Sequence, residues 1–234
     1  MNSMPELKID WATAEAAKYA CRNWHYSKSM PVFKVLRVGV WEDGRFIGVV
    51  VFSQGATPQI GSPYNLGKTE ICELARVALT DHKTPVSRII AIALKFLRKR
   101  CPGIKMVISF ADDGQGHHGG IYQAGGWVYT GGSETHSYKI NGIIIHPKTL
   151  HSTYGTGGQS IPWLRKNVDP NAQRVVAGFK HKYLMPFDKS IGEQIKLLSK
   201  PYPKRPKQAT APQGQGGGVA PTRTLQIQTG GVNV

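Results

Sequence analysis

Residues 111–127 read ADDGQGHHGGIYQAGGW and follow directly on the apolar run KMVISF. Two adjacent aspartates, two adjacent histidines, a tyrosine and several glycines meet there. Carboxylates and imidazoles are the groups from which metal sites and proton-transfer sites are built. As a metal site, Asp112, Asp113, His117 and His118 offer ligands. However, adjacent pairs point to different sides of the chain, and no His-x-x-x-His or cysteine partner joins them. As a phosphate cradle the spacing fails: it is not G-x-x-x-x-G-K-[ST], and no lysine follows the glycines. The third reading is positional. Polar residues at the C-terminal end of a buried strand stand where α/β sheets hold their ligands. Asp112 and Asp113 then guard the mouth of a crevice, unless either is only a helix cap or Asx turn.

Two other stretches carry candidates. In NWHYSKSMP, His25 has the one side chain whose ordinary pKa suits proton transfer near neutrality. With Tyr26 and an aspartate it could also ligate a metal; the plain alternative is a loop histidine bonded to backbone. On ELARV, Glu73 and Arg76 either face a cleft or pair with each other. Between residues 139 and 183, basic and aromatic side chains interleave in polar loops. Among them Lys139, His151, Tyr154, Lys180, Lys182 and Tyr183 suit phosphate contact and base stacking, against the alternative of a solvated basic surface.

The elements needed to position these residues are readable from periodicity and turn chemistry. Residues 10–22 predict a helix capped by Asp10. VLRVGVW and RFIGVVVF predict a hairpin around Asp43-Gly44. ICELARVALT predicts a strand. TPVSRIIAIALKFLRKR predicts a helix with Thr84 as cap and Pro85 at its first position. IKMVISF predicts a buried strand, GGIYQAGG a short helix and WVYTGG a further strand. Residues 138–187 read as a basic, loop-rich insertion, and the Pro/Gly/Gln-rich residues 200–234 as a disordered tail. The expectation is one domain over residues 1–199, with a mixed, twisted α/β sheet, flanking helices and parallel pairing in its later half.

Composition narrows the function classes. The 234 residues are 40% hydrophobic and include 30 Lys+Arg against 14 Asp+Glu, for a net charge of +16. That balance favours a polyanionic partner, nucleic acid above all. A membrane surface is disfavoured because the cations do not gather on one amphipathic helix. Cys21, Cys72 and Cys101 are too scattered for a disulfide framework or a structural zinc site, so they read as buried thiols in a reducing, cytoplasmic setting.

Two resemblances sharpen the expectation. IYQAGGW resembles the segment of the GCN5-related N-acetyltransferase fold in which a tyrosine, here Tyr122, precedes a glycine-aromatic pair, here Gly126-Trp127. That resemblance implies a tyrosine that protonates the departing thiolate of coenzyme A, and a cofactor cleft lined by the residues before it. A wider resemblance runs in order through NWHYSKSMP, ELARVAL, SRIIAIALKFLRK, ISFADDGQGHHGGIYQAGGW, HPKTLHSTYG and KHKYLMPFD. Over residues 20–188 the chain looks like the Mom family of bacteriophage DNA-modification proteins, themselves related to the acetyltransferase fold.

The family resemblance implies conversion of adenine in DNA to N6-carbamoylmethyladenine, which protects phage DNA from host restriction in the host cytoplasm. It implies catalytic roles for His25, Tyr26, Asp112 and Tyr122. It further implies acetyl-CoA or a related CoA thioester held near Lys83, Ser87, Arg88 and Ser109, and leaves open a redox metal such as iron on His25, Tyr26 and Asp112. One departure stands out. Where acetyltransferases carry R/Q-x-x-G-x-G/A, this chain has DHKTPVSR, without a glycine. The helix that follows still offers its N-terminal amides to an anion, beside Lys83 and Arg88. Two other functions stay open: a conventional N-acetyltransferase acting on a protein or small amine, and a basic DNA-binding protein without catalysis.

Overall fold

The computed structural model describes residues 4–32, 34–55, 57–155 and 160–204. Among them, eight strands form one sheet in the order β1-β2-β3-β4-β5-β8-β6-β7. The sheet begins with β1 (Leu7–Trp11) and, after helix α1 (Ala14–Trp24), continues with β2 (Val35–Glu42) and β3 (Arg45–Ser53). The β2–β3 hairpin turns on Asp43 and Gly44, both at positive φ (50° and 78°), as a two-residue primed turn requires. β4 (Ile71–Leu79) runs antiparallel to β3, helix α2 (Val86–Arg100) crosses over, and β5 (Met106–Asp112) returns parallel to β4. Helix α3 (Gly120–Ala124), β6 (Val128–Ile140), β7 (Ile143–Ile145), α4 (Pro147–Tyr154), α5 (Ile161–Asn167), β8 (Gln173–Pro186) and α6 (Lys189–Lys196) follow.

Helices cover both faces. The stripe Ile89, Ile90, Ala93, Leu94 and Leu97 of α2 packs with Tyr122 and Trp127 on one face of β2–β5. On the other face, Ala17, Ala20 and Cys21 of α1 meet Val49, Val51 and Ala78. Ile191 and Ile195 of α6 meet Ile71, Met106, Ile108 and Leu184. Successive apolar side chains of β3 point to opposite faces, Val50 and Phe52 to one and Val49 and Val51 to the other, so each face of the sheet receives its own helices. No helix among the described residues is long and apolar enough to cross a membrane.

Four expectations are corrected. Asp10 does not cap α1: it lies in β1, paired with Gly39, and the cap is Thr13, whose hydroxyl accepts from Ala16 N at 3.1 Å. Thr84 does not cap α2 either, because its hydroxyl donates to the Glu42 carboxylate and the helix starts after Pro85. Parallel pairing is confined to β4–β5. The 14-residue β8, drawn from the segment expected to be loops, slots antiparallel between β5 and β6. The distal halves of β6 and β8, with α4 and α5, enclose a small core of Tyr138, Ile140, Leu150, Leu164 and Ala172. At the start of the expected tail, Lys200 N donates to Tyr129 O at 2.8 Å and the Tyr202 hydroxyl to Trp127 O at 2.7 Å. Residues 205–234, the rest of that expected tail, lie outside the described residues.

Candidate active site

The site arises where two strands part. β4 and β5 pair over only three positions, Ile71–Met106, Cys72–Val107 and Glu73–Ile108. Beyond them β4 stays with β3 and β5 stays with β8. A register shift in the β3–β4 ladder, where Val51 faces Arg76 and Phe52 faces Leu74, leaves Ala75 as a bulge at the point of divergence. Bulges bend a strand and re-aim its side chains. The opening is a cleft of 640 Å³, walled by Leu74–Val77 of β4, Phe110–Asp112 of β5, Gly116–Tyr122, and Trp24, His25 and Tyr26 at the end of α1.

Ser109 closes the apex. It is the first β5 residue past the paired segment, fully buried, and its hydroxyl donates to Leu74 O at 2.9 Å in place of the lost ladder bond. A carbonyl can only accept, so the Ser109 proton is committed there. The Tyr122 hydroxyl, 2.8 Å from Ser109 Oγ, is therefore the donor in that pair. Burial pushes the Tyr122 phenol up to about 12. Gly119, at φ 82°, starts α3 and lets its backbone pass so close to the Tyr183 ring that a Cβ would collide with it. That contact fixes the helix presenting Tyr122.

The opposite wall is aromatic. His25 ends α1 and is 8% exposed. The Ser27 backbone N–H donates to its Nδ1 at 3.1 Å, and the Ser27 hydroxyl lies 2.8 Å from the same nitrogen. Nδ1 is thus an acceptor, and the neutral ring carries its proton on Nε2. Burial, reinforced by the Arg76 guanidinium, His117 and Lys28, pushes the imidazole down to about 4. His25 is therefore neutral at physiological pH and offers an N–H rather than a free base. The Tyr26 ring is 56% exposed and sits between His25 and His117, at centroid distances of 4.3 and 5.7 Å. Arg76 binds the bulge carbonyl of Ala75 at 2.7 Å through Nη1 and Ser29 O at 3.2 Å through Nε, which ties β4 to the turn after α1.

On the third wall Asp112 accepts from Gly114 N at 3.0 Å with Oδ1, as an Asx turn would. It also stays in the cleft lining, so both sequence readings of this residue hold together. Asp113 points elsewhere, to His181 of β8. His181 Nε2 lies 3.0 Å from Asp113 Oδ1, and its Nδ1 lies 2.9 Å from the Tyr129 hydroxyl. A carboxylate cannot donate, so Nε2 carries the proton, and in the neutral ring Nδ1 accepts from the Tyr129 hydroxyl. Sequence reasoning placed His181 only in the basic stretch. The signal that could have found it is the alternation KHKY, which in a strand sends His181 and Tyr183 to one face and Lys180 and Lys182 to the other.

The candidate catalytic residues His25, Tyr26, Asp112 and Tyr122 all line this cleft, and Arg76 joins them. Among the described residues no three His, Cys, Asp or Glu side chains gather as a metal-ligand set. The candidate cofactor residues do not assemble. Ser109 lies at the apex of the cleft, whereas Lys83, Ser87 and Arg88 lie at the start of α2 and line no part of it. Two amides that precede the helix are engaged: Glu42 at the end of β2 accepts from Lys83 N at 2.9 Å, Thr84 N at 2.8 Å and the Thr84 hydroxyl at 2.6 Å. Those two amides are therefore not open to the diphosphate of a CoA thioester.

Of the expected DNA contacts, Lys139, His151, Tyr154 and Lys180 are exposed and Lys182 is half-buried. Tyr183 is fully buried, with its hydroxyl donating to His118 O at 2.7 Å and its ring against Tyr122 and Tyr129, so no face remains for a base. His146, which caps α4, titrates lower than usual through burial and the nearby Lys148 and Lys180, with Asp112 opposing. The start of α4 thus lies within the electrostatic reach of the cleft mouth.

The profile of the Mom protein family matches residues 6–204. The chain is 29% identical over 207 residues to the methylcarbamoylase Mom of Escherichia phage Mu, covering 85% of this chain and 84% of that protein. Among solved structures, it is similar to a putative acetyltransferase from Acinetobacter baylyi (10% identity, TM-score 0.45, 80% of this chain and 96% of that one). A ribosomal-protein-S5-alanine acetyltransferase from Vibrio fischeri gives 9% identity and a TM-score of 0.44, over 80% of this chain and 98% of that one.

Proposed function

Because this chain belongs to the Mom protein family, we propose that it is a DNA-modifying transferase that places a carbamoylmethyl group on N6 of adenine and so shields phage DNA from restriction in the host cytoplasm. One observation carries the reading. An exposed tyrosine flanked by two imidazoles faces a carboxylate and a buried phenol in a single cleft, on a chain of net charge +16.

Adenine N6 is paired and stacked in a duplex, so the base must be flipped out or captured from a single strand. Tyr26, supported by His25 and His117, offers the stacking surface for a flipped base. The N6 lone pair is delocalised into the ring, and an N6–C bond forms readily only if a proton leaves N6. Asp112 suits that role: Oδ1 holds the Gly114 amide and the second oxygen is left for an N6–H. The His25 Nε2–H suits a ring nitrogen or the charge that develops as the bond forms. Tyr122 can turn its proton from Ser109 to a leaving group. The product of this modification carries a methylene on N6 and a terminal amide, so the new bond forms at a methylene carbon rather than at a carbonyl. Lys139, His151, Tyr154, Lys180 and Lys182 would hold the phosphate backbone beside the cleft.

The test is mass spectrometry of nucleosides from DNA made in cells expressing the chain. Carbamoylmethylated adenine that disappears with Asp112→Asn or Tyr122→Phe is expected. Unmodified adenine from the wild-type chain sinks the reading. Acetylation of a protein or small amine by the purified chain would instead favour a conventional acetyltransferase, against which the engaged amides before α2 already speak.

A further inference from the structure

The N-terminal end of a helix is a ready anion site, because its first amides lack intrahelical partners and the dipole is positive there. In this chain a carboxylate of the protein already holds the two amides that lead into α2, those of Lys83 and Thr84. Glu42 is 5% exposed, yet its carboxyl is held down at about 2, first by the Thr84 hydroxyl and then by the Lys83 and Thr84 amides, working against its desolvation. It is therefore ionised at any physiological pH. Residue 85 is a proline and has no N–H, so of the backbone positions 83–87 three cannot offer a donor to a ligand. Glu42 cannot easily swing aside. Its backbone pairs with Leu7 of β1 on one side and Arg45 of β3 on the other, directly before the Asp43-Gly44 turn.

We propose that Glu42 is the built-in counter-anion of the turn that leads into α2 and that the chain accordingly takes no diphosphate-bearing cofactor at that turn. A phosphate arriving there would have to displace a buried, ionised carboxylate from three hydrogen bonds or sit beside it as a like charge, and both are strongly unfavourable. The donor of the transferred group is then held by the walls of the cleft between β4 and β5, without help from the amides that precede α2. The inference goes beyond the function proposed above and does not depend on DNA being the acceptor.

Acetyl-CoA, inorganic phosphate and acetate are the probes, with the full chain at about 300 mM chloride to suppress non-specific binding to its excess positive charge. Calorimetric titration of the wild-type chain should give no saturable acetyl-CoA heat up to about 1 mM, a concentration that would reveal a Kd near 10 μM through a clear Tm rise. Glu42→Ala should lower Tm by roughly 4–8 °C. Phosphate or acetate should restore part of that loss, whereas chloride at matched ionic strength should not. Salt-resistant micromolar binding of acetyl-CoA by the wild-type chain overturns the proposal. So does a Glu42→Ala chain whose Tm is unchanged, or one whose loss no oxyanion repairs. If Glu42→Ala does not fold, Glu42→Gln, which keeps the volume and removes the charge, takes its place, and the wild-type titration still decides. No assay contains DNA, so failure here leaves adenine modification standing, and the reverse.

Discussion

The Tyr122 hydroxyl donates to Ser109 Oγ at 2.8 Å while Ser109 donates to Leu74 O at 2.9 Å, so the last stitch between β4 and β5 also holds the candidate proton donor. Removing the hydroxyl while keeping the ring separates chemistry from packing. Tyr122→Phe should lower the yield of modified adenine by about 10²-fold or more with little change in Tm. Ser109→Ala should cost about 1–3 kcal/mol by leaving a buried carbonyl unpaired, seen in thermal or denaturant melts. Full activity in Tyr122→Phe would remove Tyr122 from the chemistry.

The neutral state of His25 gives a pH signature. Its folded pKa, about 4, lies below the ordinary 6.5. The unfolded chain thus binds more protons between those values, and stability rises with pH across that window. The contribution is complete above about pH 6.5, is lost as pH falls toward 4, and reaches at most about 3 kcal/mol there. Urea melts from pH 7 to 4 should be steeper in pH for the wild type than for His25→Gln. The pH–rate profile should also lack a limb near 6.5 arising from His25. A His25-dependent limb there would contradict the assigned tautomer and burial.

His181 is expected to act as a positioning residue. It joins Tyr129 to Asp113, and Asp113 opens the turn that carries the neighbouring Asp112 into the cleft. His181→Phe should orphan the buried Tyr129 hydroxyl, at about 1–3 kcal/mol, and reduce kcat more than it raises KM for DNA. Asp113→Asn can still accept from Nε2, so it should recover most of the activity. Equal loss in both variants would point to a role for the Asp113 charge itself.

Phosphate contact by the basic face is measurable through salt. Lys139→Ala and Lys180→Ala should each weaken DNA binding across sequences and reduce the slope of log K against log salt by about 1. Kinetics at saturating DNA should change little. An unchanged slope in either variant would place that lysine outside the interface.

Much of this protein is legible along the chain. The Asp43-Gly44 hairpin, the α2 stripe and the buried β5 strand follow from local rules, because turn chemistry and period are properties of adjacent residues. Asp112 could be proposed from its place at a strand end, whereas the catalytic roles of His25, Tyr26 and Tyr122 came from the family resemblance. β8 could not be seen this way. Its glycine and lysines mask an alternation that matters only once β5 and β6 lie on either side. The same blindness put Tyr183 on the surface and left His181 without a role.

The sequence by itself determined many of the elements, the charge that seeks a polyanion, and the residues able to do chemistry. Tertiary structure decided which of them meet. The Ala75 bulge and the three-residue β4–β5 pairing open the cleft, and both are relations between strands far apart in sequence. Glu42 shows the difference most clearly. In the sequence it merely precedes a turn, and only the fold carries it to Lys83 and Thr84, 41 and 42 positions away. An anion site is defined by which donors remain free, and that depends on every group brought near them by packing.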